Sequence, residues 1–241
     1  MELLDQITAY RPWNEQEEQD RKELLRRLES GEELYSRDNC AAHLTASAWV
    51  VSPDRRQVLM AYHNLYDSWA WLGGHADGDR DLLAVALREV REESGLTNVR
   101  AVSPDIYSLE ILTVDGHEKH GKYVSSHLHL NVTFLVEADP AEAVRCKPDE
   151  NSRVGWFTPE GAVEASSEPW FRQRVYRKLN EKLAASSKCA PLAASGEHFY
   201  FPFFFASSSL AWRRLRTSSD MGLMSPAAVR AWRVSKGPTI S

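Results

Sequence analysis

Between Asp81 and Ser94 the chain carries a pattern that fixes its local structure. Leu83, Ala86, Leu87 and Val90 fall at i, i+3, i+4 and i+7, which on a helix makes one apolar stripe facing a core. Gly95 then stops the helix. Beside that stripe stand Glu89, Glu92 and Glu93, again at i, i+3 and i+4, so three carboxylates crowd onto one face. Like charges at this spacing repel unless solvent or a cation offsets them, and hard oxygen ligands are what Mg²⁺ or Mn²⁺ prefer. A solvated acidic face interleaved with Arg88 and Arg91 is the plainer reading, and three glutamates alone favour it.

The sequence before this helix is β-rich. His43 to Val51 and Gln57 to Tyr62, separated by Ser52, Pro53 and Asp54, read as a hairpin. Tyr66 to Leu72 reads as a short aromatic strand ending in the glycine loop Gly73–Gly74. After the helix, Ile106 to Val114 and His127 to Val136 read as strands, the second with Leu128, Leu130, Val132 and Phe134 alternating. A last short strand is expected at Val154 to Phe157, then helices over Pro159 to Ala165 and Pro169 to Leu183. Upstream of all this, residues 14 to 30 predict an amphipathic helix that carries Leu24, Leu25 and Leu28 and ends near Gly31. Strands flanked by helices, without regular βαβ repeats, predict an α/β/α sandwich around a mixed sheet.

Three segments follow: a helical extension over 1–42, a domain over 43–185, and a tail over 186–241. The tail holds seven Lys or Arg and two acids, whereas the first 185 residues hold 22 basic and 32 acidic side chains. It reads as a disordered or poorly packed extension without a catalytic role, with an aromatic-basic partner or membrane-surface segment and a stretch foreign to the domain as alternatives. The net charge of -5 argues against a nucleic-acid binder, and an acidic protein that handles phosphates needs a cation. Cys40, Cys146 and Cys189 form no CxxC pair, so neither a disulfide framework nor a zinc knuckle is indicated, and a reducing cytoplasm fits best. The first residues lack a signal-peptide pattern, and no stretch approaches the ~20 apolar residues of a membrane span.

The full stretch from Gly74 to Leu96 reads GHADGDRDLLAVALREVREESGL. Arg88, Glu89, Val90, Glu92, Glu93, Gly95 and Leu96 match the Nudix signature GX5EX7REUXEEXGU, with U aliphatic, and Gly74 lies at the required distance upstream. At average residue usage this core arises by chance on the order of once in ten thousand such chains. The chain thus resembles the Nudix hydrolases over roughly residues 43 to 183. The resemblance implies a Mg²⁺-dependent hydrolase, with Mn²⁺ as a substitute, that cleaves a diphosphate linkage in a nucleoside diphosphate derivative or related small molecule. Glu89, Glu92 and Glu93 would bind the cations, the Gly74 carbonyl would contribute a ligand, and Arg88 would orient Glu89. The general base would be a helix glutamate or a carboxylate from a later loop. Glu150 stands where such a residue falls, with a polar turn over Asp149 to Asn151 as the alternative. Tyr66, Trp69 and Trp71 are candidates for stacking on a substrate base, although aromatics in a strand are more often core. Many members of that family dimerise, which leaves a homodimer open, and the sequence itself does not fix the oligomeric state.

One position departs from the signature. The glutamate expected six residues after Gly74 is Arg80, a charge reversal that predicts weakened catalysis improved by Arg80→Glu. Two alternatives follow. A Nudix-fold module that binds ligand without turnover would explain Arg80 but not the retained glutamates. An enzyme similar to isopentenyl-diphosphate isomerases would use His43, His75, His127 and His129, yet Gly73 occupies the place of the catalytic cysteine of that family.

Overall fold

The computed structural model describes residues 2–119 and 121–188. Its centre is an eight-stranded mixed sheet built on two long neighbours, β1 (Ala42–Val51) and β9 (His127–Ala138), which run parallel. On one side β2 (Val58–His63) pairs with the end of β1 and carries β10 (Asn151–Phe157) at its far edge. On the other, β9 pairs antiparallel with β5 (Val99–Ala101) and β6 (Ser108–Val114). A separate hairpin joins β7 (His117–Lys119) to β8 (Lys122–Val124). The predicted sandwich around a mixed sheet is the fold observed.

The expected aromatic strand is two strands. β3 (Ser68–Ala70) pairs with β2, and β4 (Leu72–His75) pairs with β1, so the chain changes neighbours at Trp71. The alternating Leu128, Leu130, Val132 and Phe134 of β9 join the core on the α3 side, and from Leu130 to Ala138 the residues between them are buried as well. The strand is central and both faces are covered, which removes the need for a polar side.

Residues 44, 46, 48 and 50 of β1 and 130, 132, 134 and 136 of β9 face α3 (Leu82–Ser94), which inserts Val85, Ala86 and Val90. The opposite face carries Trp49, Val51, Met60 and Leu135 under α4 (Pro159–Ala165), a π-helical turn over Phe171–Tyr176, and α5 (Arg177–Lys188). Tyr176 stacks on Trp49 with ring centroids 5.5 Å apart. The helix expected over 169–183 therefore opens as a wider turn and continues to 188. The expected tail from residue 189 onward lies outside the described residues. Among the described residues no helix is long and apolar enough to cross a membrane.

The N-terminal segment holds two helices, α1 (Leu3–Ala9) and α2 (Glu15–Glu29), the second capped by the Asn14 side chain. They add Leu3, Ile7 and Leu24 to the core that α3 completes. Along the free edge of β6, Ile111 N–H donates to Asp20 at 3.0 Å and the Leu109 carbonyl accepts from Gln16 at 3.1 Å. Side chains of α2 thus satisfy edge groups that would otherwise invite a foreign strand. Glu17, fully buried, joins the segment to the domain: Lys178 stands 3.2 Å and Lys182 3.1 Å away, and Tyr10 and Ser108 donate at 2.6 and 2.7 Å. Lys178 is also 2.8 Å from buried Glu110. Burial alone would raise the Glu17 carboxyl, but the two lysines and the donors outweigh it and hold the group below its ordinary value.

Candidate active site

The helix that carries the glutamates is fixed at both ends by its own sequence. Asp81 is the N-cap, its carboxylate accepting from Ala84 N–H at 3.0 Å, and Gly95 adopts φ +72°, a left-handed C-cap. Between these caps the inward stripe is Leu82, Val85, Ala86 and Val90, with Leu83 and Leu87 half-buried beside it. Glu93 lies within that stripe and is only 7% exposed. Glu89 is half-buried, and Glu92 is exposed at the rim.

Three carboxylates converge: oxygens of Glu89, Glu93 and Glu150 all lie within 4.8 Å of one another. Glu150 comes from the turn before β10 and is the later-loop carboxylate anticipated from sequence. Its partner in placement is Asn151, buried, whose side chain donates to the Glu93 carbonyl at 3.0 Å and accepts from Lys147 N–H at 3.0 Å. Asn151 therefore locks the 147–151 turn onto the last turn of α3. Lys147 bridges the rim, 3.1 Å from Glu150 and 3.4 Å from Glu92. Lys147 and Asn151 were missed in the sequence, where their only trace is a polar turn with a lysine three residues ahead of Glu150.

β4 runs under this cluster. The Glu89 carboxylate rests on Gly74 so closely that a Cβ there would stand 2.5 Å from its carboxyl carbon. Gly73 N–H donates to Glu93. Burial, then the Glu89 and Glu150 charges, push the Glu93 carboxyl well up; burial, then Glu92 and Glu150, push Glu89 up. Such a set is held in its ionised form only by added positive charge. All-oxygen donors of this kind suit a hard divalent cation such as Mg²⁺ or Mn²⁺.

Arg88 lies 3.9 Å from Glu89 and bonds Asp79 at 3.2 Å. Asp79, one residue before the expected glutamate, is thus the carboxylate paired with the arginine. Arg80 precedes the N-cap and lies over the Tyr35 ring, 4.7 Å from its centroid. The charge reversal thus stands beside the helix terminus with its guanidinium packed on Tyr35.

Of the three aromatic candidates, Trp69 and Trp71 sit in core packing. Trp69 meets Phe157 edge-on at 4.8 Å, and Trp71 meets Phe171 and Tyr176. Tyr66 is exposed on a turn that adjoins the site, since Asn64 N–H donates to the Glu150 carbonyl at 3.0 Å. A Cβ at Gly73 would stand 2.6 Å from both the Ala46 carbonyl oxygen and Ser47 Oγ, so no cysteine fits there without moving β1.

A family model described as NUDIX domain matches residues 41–179. Among solved structures, a C. elegans Ap4A hydrolase binary complex aligns at 20% identity over 59% of this chain and 98% of its own, with TM-score 0.45. The E. coli dihydroneopterin triphosphate pyrophosphohydrolase aligns at 15% identity over 62% and 97%, with TM-score 0.43. A NUDIX-family hydrolase from Clostridium perfringens aligns at 19% over 58% and 97%, with TM-score 0.40. No curated protein matches the chain. The domain match spans more than half of the sequence and contains the signature at 74–96: the chain belongs to the Nudix hydrolase family.

Proposed function

We propose that this protein hydrolyses a diphosphate linkage in a nucleoside diphosphate derivative or related small molecule, with Mg²⁺ held by Glu89, Glu92, Glu93 and the Gly74 carbonyl, and with Glu150 beside them. The observation that carries this reading is the convergence of three carboxylates around buried Glu93. When bound, the cation supplies charge neutralisation on the diphosphate oxygens and lowers the pKa of water. The protein's own groups do the rest. Arg88, anchored on Asp79, steadies Glu89, while Lys147 and Asn151 hold the Glu150 turn against α3. Glu150 suits the role of general base, because its side chain is 42% exposed and can pass a proton from the attacking water to solvent. Buried Glu93 lacks that exit. Of the three aromatics Tyr66 is the exposed one and serves as the base-stacking candidate, while Trp69 and Trp71 pack against the core.

The isomerase-like alternative is disfavoured by the space at residue 73, and the non-catalytic module loses its motive once Asp79 pairs with Arg88. Release of phosphate or pyrophosphate from a panel of nucleoside diphosphate derivatives, with and without Mg²⁺, tests the reading. Metal-dependent release identifies the scissile bond and the substrate class; a folded protein that releases neither from any member refutes it.

A further inference from the structure

Four histidines from three strands meet on the face of the sheet turned away from α3. The register decides the face: His43 pairs with His129 across β1 and β9, and His75 with Thr45 across β4 and β1. Side chains of directly paired residues share a side, so 43, 75 and 129 project together. Gly74 and Ala46, one residue out of phase, look to the side where Glu89 lies. Ring nitrogens of His43, His75 and His129 fall within 4.8 Å of one another. His127 stands alongside, and Nε2 of His129 is 3.2 Å from both His75 Nε2 and His127 Nε2.

The hydrogen bonds of two of the rings, His43 and His127, point their lone pairs inward. His43 Nδ1 donates to the Asn39 carbonyl at 3.0 Å, which leaves Nε2 as an acceptor; that atom is buried without a hydrogen-bond partner, on a residue 4% exposed. His127 Nδ1 likewise donates to the Ser125 carbonyl at 2.8 Å, leaving its Nε2 lone pair toward His129. A ring N–H fixed on a backbone carbonyl, with the other nitrogen free, is the arrangement that metal-bound histidines adopt.

We propose that His43, His75 and His129, with His127 alongside, bind a first-row transition-metal ion such as Zn²⁺ at a site separate from the carboxylate cluster. Imidazole-only donors favour Zn²⁺ and its neighbours over Mg²⁺, which takes oxygen ligands. The spacing agrees: Zn–N bonds of about 2.0–2.1 Å in a tetrahedron set nitrogens about 3.3–3.4 Å apart, close to the two 3.2 Å separations here. His75 and His129 are half-buried, so one side stays open to water or a ligand atom. A metal there ties β1, β4 and β9 together at the end where β4 leads into the catalytic helix. This site stands on its own geometry and does not depend on the hydrolase reading.

The test is titration of the metal-free full chain with Co²⁺ and Zn²⁺ in excess Mg²⁺, followed by absorption, bound-metal stoichiometry and melting temperature. One equivalent of Co²⁺ with a tetrahedral nitrogen-ligand spectrum is expected, lost in His129→Ala and in His75→Asn and kept in Glu93→Gln. Zn²⁺ at about 100 times its Kd should raise Tm by about 5–10 °C. His75→Asn, at the open side, carries the test should His129→Ala fail to fold. No Co²⁺ uptake in excess Mg²⁺, or uptake lost in Glu93→Gln and retained in the histidine variants, would overturn the proposal.

Discussion

Alanine at Gly74 and alanine at Gly73 should fail in opposite ways. At Gly74 the added Cβ would stand 2.5 Å from the Glu89 carboxyl carbon and 2.7 and 2.8 Å from its oxygens. Ordinary carbon contacts are about 3.5–4.0 Å, so that carboxylate must retreat by about 1 Å. Only the end of a flexible side chain moves, and alanine also restricts the unfolded chain, so stability should change by about 1 kcal/mol or less and Tm by about 3 °C or less. The catalytic cost is much larger, since a misplacement of about 1 Å lowers turnover on the order of 10²-fold. At Gly73 the atoms met include backbone that cannot swing aside, the Ala46 carbonyl oxygen at 2.6 Å and Ser47 Cα at 2.7 Å, beside Ser47 Oγ at 2.6 Å. Overpacking there should cost about 1–3 kcal/mol and lower Tm by about 3–10 °C. The assay is calorimetric melting of both variants beside kcat/KM across a Mg²⁺ titration. Wild-type kinetics for Gly74→Ala at every Mg²⁺ concentration would refute the placement of Glu89.

Asp79→Asn should lower kcat/KM by about tenfold because Arg88 loses its anchor, whereas Arg80→Glu should leave kinetics within about threefold; the reverse order would restore the expectation drawn from the signature alone. Glu17→Gln leaves Lys178 and Lys182 buried without their common partner and should cost about 3–5 kcal/mol in urea unfolding. The Glu17 carboxyl is held below its unfolded value, so its contribution is present above about pH 4.3 and is lost as pH falls through the folded pKa. The variant's acid limb should therefore be flatter, and an unchanged limb would exclude Glu17 as a source of acid lability. Tyr66→Ala should raise KM with an unchanged melt, while Trp69→Ala should cost about 3 kcal/mol of stability; a raised KM for neither variant would remove base stacking from the account.

The glutamate-bearing helix is legible because its signals are local. A 3.6-residue period, an Asp cap and a Gly stop lie within fifteen residues, and the observed helix differs from the expected one by a small rotation that buries Leu82 and Val85. That rotation matters, because it carries Glu93 inward and leaves Glu92 at the rim. The closure of the cluster by Glu150 depends on Asn151 reaching the Glu93 carbonyl from 58 residues away, a contact that no local pattern records. The histidines belong to the same class: His43 and His129 become neighbours through a parallel pairing between distant strands. In β9 the alternation identifies the residues that meet α3, and the burial of those between them comes from cover on the sheet's other face, which no strand pattern records. The pairing of Arg88 with Asp79, one residue before the position the signature names, is likewise set by the loop's path and not by spacing.

The most direct test of the central claim is the Mg²⁺ dependence of turnover in the wild type and in Glu93→Gln, on whichever diphosphate substrate the panel identifies. Diphosphate hydrolysis that rises with Mg²⁺ in the wild type and falls on the order of 10²-fold or more in the variant, with Tm preserved, is the predicted result. Hydrolysis that proceeds without a divalent cation, or that survives Glu93→Gln unchanged, would contradict it.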